Sequence, residues 1–391
     1  MPPELPVYLD HHATTPVDAR VLEAMLPFFY EQYGNASSPH HAYGQAARAA
    51  VATAREQVAQ LLNVTPREVI FTSGATEANN LAIKGCLGAA PPGSHLIVNA
   101  AEHKSVLDVA TRLARRGVEV TVLPVSSTGC VDPEAVANAI RPTTVLVSAM
   151  TGNNEVGSIN PVAEIARVCA ARNVAFHSDI TQAAGRIPIS LTMFSCDMAS
   201  LSAHKLYGPK GIGALIKRRM PRQTPLEPML DGGGHENRMR SGTLPVPLIV
   251  GFGRACELVA PIREAQTLAL HGLVERLDHG IRSQLEDVTL NGPPLSDYRL
   301  PGNLNLSFGG IDGDALLIRL KRIAISSGAA CSSADPGPSH VLRAMGIADK
   351  LVKASLRFGL GRPTTAAHID IAIDEVVTVV RELRSLARTA P

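Results

Sequence analysis

From residue 68 to residue 218 the chain repeats one pattern, a short β-rich run followed by polar residues and, for most of them, a stretch with helical periodicity. The runs are "EVIFT", "HLIVNA", "EVTVLPV", "TVLVSAM", "VAFHSD", "MASLS" and "GIGALIKR". Helical stretches over 75–88, 104–116, 133–140 and 161–172 lie between them, and 42–62 precedes them, with Pro161 suited to a first turn. Such alternation is satisfied by a mainly parallel, seven-stranded sheet with helices on both faces, an α/β architecture. After Gly242 the pattern changes. A long helical region over 247–285 leads to "NLNLSF", a helix from Gly313, "IAISS", a loop, a short helix, "SLRFGLG" and a last helix from about Thr365. This predicts a smaller α+β unit that the first dozen residues rejoin. The expected division is a large unit over 15–260 and a small one over 1–14 and 261–391.

Composition narrows the function. A chain of 391 residues that is 45% hydrophobic and 18% charged can bury a sizeable core. With 37 Lys+Arg against 35 Asp+Glu and no basic run, nothing asks for nucleic acid. "MPPELPVYLD" has no basic segment ahead of an apolar one, and no apolar run approaches the roughly 18 residues of a membrane span, so a soluble, cytoplasmic protein is expected. The six cysteines are widely spaced with no CxxC pair, which speaks against a zinc knuckle or a disulfide framework. Cys86, Cys169 and Cys256 sit in core-like contexts and read as inert thiols. Cys331, within "SSGAACSSADPGPS", has almost nothing around it to bury and reads as exposed on a loop.

In open α/β sheets the ligand crevice lies beyond the carboxyl ends of the strands. Five of the runs end in polar clusters: "TSGATEANN", "EH", "TGNNE", "HSDITQ" and "SAHK". Any one of them suits a plain cap or turn, whereas five sharing a rim suit a ligand. "SGAT" offers backbone N–H groups and a helix dipole to a phosphate, with the Thr76 hydroxyl as a further donor. Asp179 ends an apolar strand, where a lone carboxylate is costly unless a cation or protonated heterocycle faces it. His103, Asn154, Gln182, Ser202 and His204 add an imidazole, two amides and further polar groups, each with an ordinary alternative as a core, turn or loop residue.

A phosphate cradle, a buried carboxylate, a flat imidazole and a lysine on one rim describe a site for pyridoxal 5'-phosphate. In "LSAHKLYGPKGIGAL", Lys205 follows a strand directly, while Lys210 lies inside a Pro/Gly turn. Lys205 is therefore the expected Schiff-base lysine, and Lys210 a support of the turn.

The segments "YLDHHATTP", "FTSGATEANNLAIKG", "AEHKSVL", "NNEVG", "HSDITQAAG", "SAHKLYGPKGIGAL", "GGGHENRMRSGTLP" and "SSGAACSSA" together resemble the cysteine desulfurases of the NifS/IscS type. These are class V aminotransferase-like enzymes with the fold-type I architecture of pyridoxal phosphate-dependent transferases. The resemblance implies that Lys205 carries the coenzyme, Asp179 pairs with its ring nitrogen, Gln182 bonds its phenolic oxygen and His103 stacks on the ring and assists proton transfer. It further implies that Ala75, Thr76, Ser202 and His204 hold the phosphate, and that Thr243 reaches the phosphate of a neighbouring subunit in a homodimer. Asn154 and Arg357 would bind the substrate carboxylate, a task suited to a bidentate guanidinium.

On this resemblance, sulfur passes from L-cysteine to Cys331, giving L-alanine and a persulfide destined for iron–sulfur cluster assembly or another sulfur acceptor. No metal site is expected beyond a transient iron–sulfur contact at Cys331. With the chain ending at Pro391, the tail that some relatives use to grip a scaffold protein is expected to be short. Ala203, Ile180 and the pair Thr151–Gly152 depart from residues frequent in relatives, small changes beside the coenzyme. A selenocysteine lyase or cysteine sulfinate desulfinase, an ordinary aminotransferase, or a sulfur-relay scaffold without turnover would share most of these features.

Overall fold

The structure, a computed structural model, describes residues 5–219, 224–296, 298–327 and 337–389. Strand β1 (Val7–Tyr8) is followed by helices α1 (Ala19–Met25), α2 (Pro27–Tyr30) and α3 (Ala42–Leu62). The repeating region forms β2 (Val69–Thr72), α4 (Ala75–Gly88), β3 (His95–Asn99), α5 (Lys104–Ala114), β4 (Glu119–Leu123), α6 (Pro133–Ala139), β5 (Thr144–Ser148), α7 (Val162–Ala171), β6 (Ala175–Asp179), β7 (Met198–Ser202) and β8 (Gly213–Lys217). These seven strands make one sheet in the order β2-β8-β7-β6-β5-β3-β4, in which β8 alone runs against its neighbours. The carboxyl ends of β2, β3, β5, β6 and β7 consequently share one rim.

Local chemistry sets the element ends. Asp132 caps α6 through Glu134 N, with Pro133 in the first turn, where its missing N–H is harmless. Asn63, at φ 53°, ends α3 in the left-handed conformation that closes a helix. Pro161 occupies the cap position rather than the first turn of α7. The expected helical region over 247–285 comprises two helices, α8 (Val246–Val259) and α9 (Arg263–Arg282). A single tight turn holding Pro261 separates them, because proline lacks the N–H that an unbroken helix requires.

The remainder comprises β9 (Val288–Leu290), β10 (Asn303–Phe308), α10 (Gly313–Arg319), β11 (Ile323–Ala324), β12 (Ser326–Ser327), α11 (His340–Ala344), α12 (Asp349–Lys353), β13 (Ser355–Gly359) and α13 (Ala366–Thr389). "IAISS" divides between β11, which pairs with β1, and β12, which joins an antiparallel sheet in the order β12-β13-β10-β9. Buried apolar side chains follow the same partition. The two faces of the large sheet are covered by α3, α7 and α8 on one side and α4 and α5 on the other. A separate cluster takes Leu9 together with residues from Leu270 onward. That partition supports, as a proposal, the division into 15–260 and 1–14 with 261–391.

One buried ion pair locks the segment after β8 to the sheet. Glu236 receives Arg55 Nη1 at 2.8 Å, Arg55 Nη2 at 2.6 Å and the Phe71 N–H at 2.7 Å, and its side chain is 1% exposed. Arg55 also lies 4.6 Å over the Phe71 ring. Removing one member strands the other charge in low dielectric. Glu236→Ala is expected to lower unfolding stability by about 3–5 kcal/mol in urea titrations, and a loss below about 1 kcal/mol would refute the lock.

Candidate active site

The rim encloses a cavity of about 600 Å³. Ala75, Thr76, His103, Asn154, Asp179, Gln182, Ser202, His204, Lys205 and Arg357 all line it. Thr243 does not line it and is exposed on the segment before α8. Cys331 lies outside the described residues.

At one end of the cavity is the amino terminus of α4. Its cap is Gly74, at φ 154°, and no side chain caps the helix. A Cβ on Gly213 would come within 2.7 Å of Gly74 Cα, so two glycines let the turn lie against β8. Glu77 turns back to accept the Ser73 N–H at 2.7 Å and is paired with Arg240 at 2.9 Å. Ser202 ends β7, and the His204 imidazole meets Thr14 Oγ1 at 3.1 Å. Burial, reinforced by Lys205 and Lys210, pushes His204 down to about 4, so it is a neutral donor or acceptor here.

Deeper in the cavity, Asp179 ends β6 with 5% exposure. Its Oδ1 accepts the Thr181 N–H at 2.9 Å and its Oδ2 accepts Asn79 Nδ2 at 2.8 Å. Asn79 Nδ2 donates also to Ser105 Oγ at 2.8 Å, and that hydroxyl meets His103 Nδ1 at 2.8 Å. A continuous hydrogen-bonded chain therefore joins the carboxylate to the imidazole. His103 Nδ1 accepts the Ser105 N–H at 3.1 Å, which places the proton of the neutral ring on Nε2. Burial holds His103 below the usual histidine range, against the opposing pull of Asp179.

Lys205 sits on a short turn directly after β7. Its Nζ donates to the carbonyls of His12 at 2.5 Å and Ala13 at 2.6 Å. The turn is secured by Tyr207, at φ 63°, whose hydroxyl accepts the Arg362 N–H at 2.6 Å and whose ring lies 4.0 Å beneath the Arg362 guanidinium. Lys210 is exposed in the following turn and also borders the cavity. Gln182 Nε2 donates to His12 O at 2.8 Å, while its Oε1 accepts from Arg186.

Arg357, on β13, is 2% exposed rather than on the surface. Its Nη2 contacts Asp10 Oδ1 at 2.7 Å and Ser326 Oγ at 3.0 Å, and its Nη1 donates to the Asn154 carbonyl at 3.2 Å. Asp10 and Ser326, with His12, Asn79 and Ser105, are site residues to which the sequence reading assigned no role. Their signal was present only as polar residues of "DHHATTP", "TEANN", "AEHKS" and "IAISS", whose partners lie mostly elsewhere in the chain. Among the described residues no group of three or more His, Cys, Asp or Glu is placed to hold a metal ion, and no helix is long and apolar enough to cross a membrane.

A mainly parallel sheet whose carboxyl rim gathers a lysine, an aspartate and an uncapped helix terminus defines a class. Residues 7–371 match the family model Aminotransferase class-V, and the chain belongs to that family. Within it the chain groups with the cysteine desulfurases of the IscS type. It is 49% identical over 385 residues to Cysteine desulfurase IscS of Anaeromyxobacter dehalogenans (strain 2CP-C), covering 98% of this chain and 95% of that one. With the protein of the same name from Rickettsia felis it shares 47% over 386 residues, covering 98% and 93%. Among solved structures, a NifS-like protein superposes with a TM-score of 0.89 at 35% identity, covering 97% of this chain and all of that one. SspA in complex with cysteine superposes at 0.79 with 34% identity, covering 90% and 98%.

Beneath the site, His177 on β6 is fully buried between Ser148 Oγ at 2.8 Å and Ser200 Oγ at 2.9 Å. Burial pushes it down to about 4, with Asp179 opposing. The unfolded chain takes up this proton first as pH falls, so the stabilisation is complete above about pH 6.5 and is lost progressively toward pH 4. The difference is on the order of 3 kcal/mol. Wild-type stability in urea is expected to fall more steeply from pH 7 to pH 4.5 than that of His177→Gln, and parallel curves would contradict the buried neutral ring.

Proposed function

We propose that this chain is a pyridoxal phosphate-dependent cysteine desulfurase that converts L-cysteine to L-alanine and leaves the sulfur as a persulfide on Cys331. The observation that carries the reading is the convergence, in one cavity, of a lysine amine, a buried carboxylate, an imidazole and an uncapped helix terminus. These groups fit the coenzyme. A carboxylate has about four lone-pair sites, and the two hydrogen bonds on Asp179 leave acceptor capacity for a protonated ring nitrogen. The first-turn N–H groups at Ala75 and Thr76, with Ser202 and His204, suit a phosphate. Lys205 Nζ would hold the aldehyde carbon, His103 would stack on the ring, and Gln182, whose Nε2 carries a second N–H, would reach the phenolic oxygen. When bound, the coenzyme supplies the electron sink for charge developing at the substrate α-carbon.

The chain's own groups do the rest. Arg357 and Asn154 orient the amino acid by its carboxylate. Lys205 and His103 are the groups positioned to move protons, the lysine once it leaves the His12 and Ala13 carbonyls. Cys331 attacks the sulfur of L-cysteine. The C–S bond breaks, an S–S bond forms, and the protons balance as L-alanine and a Cys331 persulfide. Cys331 follows Ser326, a cavity residue, by five positions, a reach of at most about 18 Å. An ordinary thiol ionises near pH 8.5, so attack depends on deprotonation at the site.

The persulfide is the product delivered to an iron–sulfur scaffold or another acceptor protein. A homodimer is supported by the exposed aromatics Phe29, Tyr30, Tyr33 and Tyr43, from 50% to 66% accessible, with the Tyr33 and Tyr43 rings 5.3 Å apart. The exposed Thr243 is then available to the partner's phosphate site. A thiol that carries persulfide sulfur suits a reducing, cytoplasmic setting.

Alanine formation and alkylation-trapped persulfide from L-cysteine test the reading directly. Cys331→Ser is expected to lose at least about a thousandfold in alanine formation, and Lys205→Ala likewise. Borohydride reduction followed by peptide mapping should label Lys205. Alanine formed at the wild-type rate by Cys331→Ser would overturn the thiol's role, and a label on Lys210 would overturn the lysine assignment. In Arg357→Lys, which loses the bidentate fork, KM for L-cysteine should rise about tenfold or more.

A further inference from the structure

Arg186 closes the turn over 181–186 that follows β6. It is 9% exposed, it does not line the cavity, and among the described residues no carboxylate pairs with it. Burial brings the guanidinium down to about 10, which still leaves it charged near neutral pH. A cation buried without a counter-charge is costly, so its hydrogen bonds show what it is for. Nη1 donates to the Gln182 carbonyl at 3.0 Å and to Gln182 Oε1, and Nη2 donates to the His11 carbonyl at 3.1 Å. Its own carbonyl accepts Thr267 Oγ1 of α9 at 3.2 Å, which fixes the residue from behind.

These contacts decide how the Gln182 amide is turned. A guanidinium only donates, so the Gln182 atom that faces Arg186 is the oxygen. The amide nitrogen faces the other way, where one of its N–H groups meets the His12 carbonyl at 2.8 Å. Flipping the amide would set its NH2 against the guanidinium donors and its oxygen against the His12 carbonyl, two repulsive pairs in place of two hydrogen bonds. With the oxygen and one N–H tied, the amide plane is fixed, and the second N–H is the donor left for a ligand. Gln182 lines the cavity, three positions after Asp179. The same guanidinium steadies the N-terminal segment, because it holds the His11 carbonyl one residue before the His12 carbonyl that accepts Lys205 Nζ at 2.5 Å.

We propose that Arg186 is a positioning residue of the coenzyme site: it holds the Gln182 amide with Oε1 toward itself and the free N–H of Nε2 toward the cavity, and so fixes the donor that meets the phenolic oxygen of the coenzyme. The proposal rests on the coenzyme reading above and extends it to a residue that touches no ligand. An amide side chain at this position could itself flip and would accept either orientation of Gln182, whereas a guanidinium accepts one.

The test is a spectrophotometric pH titration of the Schiff base in coenzyme-loaded protein, comparing wild type, Arg186→Met, Gln182→Leu and the double variant. Every variant keeps the other ionisable groups of the cavity. An N–H on the phenolic oxygen stabilises the phenolate that stands beside a neutral Schiff-base nitrogen, so losing it raises the pH at which that nitrogen gives up its proton. Arg186→Met is expected to raise this pH by about one unit. In the Gln182→Leu background, where only the charge of Arg186 is left to act, the same substitution should raise it by less than about half as much. Equal shifts in the two backgrounds would assign Arg186 to charge alone and overturn the proposal, as would an unmoved titration in Arg186→Met. If Arg186→Met does not fold or load, the crystal structure of the wild-type holoenzyme decides. Gln182 Nε2 within about 3.5 Å of the phenolic oxygen, with Oε1 still on Arg186, supports the proposal, and a greater distance overturns it. A wild type that gains no Schiff-base absorbance on loading sinks the coenzyme reading and the proposal together, whereas a wild type that titrates, with equal shifts in both backgrounds, loses only the role of Arg186.

Discussion

The arrangement depends on a carboxylate held out of water. Asp179 ends a strand buried along its whole length, where an ionised group is tolerated only if its lone pairs are satisfied. Two are, by the Thr181 N–H and the Asn79 amide, and the second of these leads through Ser105 to His103. The chain fixes the imidazole relative to the carboxylate before any ligand enters. Rigid placement of this kind lets a site act on a developing charge without reorganising. The same strand contributes further, because His177 is clamped between two serine hydroxyls and gives the rim a firm base.

The electrostatics divide the cavity into two regions. Around Asn79 and Asp179 one negative charge faces neutral polar groups. Around His12, Lys205, Arg186 and Arg357 the balance is positive, tempered by Asp10. An amino acid and a phosphorylated heterocycle carry the complementary pattern, with anionic groups at their ends and a cationic ring atom between. Burial also keeps the neighbouring histidines His11, His103 and His204 neutral, so the cavity holds imidazoles as directional partners and leaves charge to the lysine and arginine.

Much of this was legible in the sequence, and the reason is locality. The strands were readable because each is a short apolar run bounded by turn residues, and 42–62 and 75–88 were readable because periodicity and caps are local signals. Within the helical region over 247–285 the break at Pro261 was not located, because helical composition continues on both sides of it. Asp179, His103 and Lys205 could be singled out as candidates because each follows a readable strand, whereas Arg357 was singled out only through the family resemblance. Asn79, Ser105, His12 and Asp10 could not be given roles, because their meaning lies in partners distant along the chain. Lys205 meets His12 across 193 positions, and Arg357 meets Asp10 across 347. Nothing in "DHHATTP" announces that its carbonyls await a lysine.

The ends of the described chain are knitted into one place. Leu9 packs in the second core, β1 pairs with β11, the Gly359 N–H donates to the Leu9 carbonyl, and Thr15 bonds the His204 carbonyl. Strand β1 is synthesised long before β13, and the pocket lacks its wall until β13 has emerged from the ribosome. Completion of the cavity in consequence waits for β13, and a nascent chain stalled short of it would carry the lysine without the chamber that surrounds it.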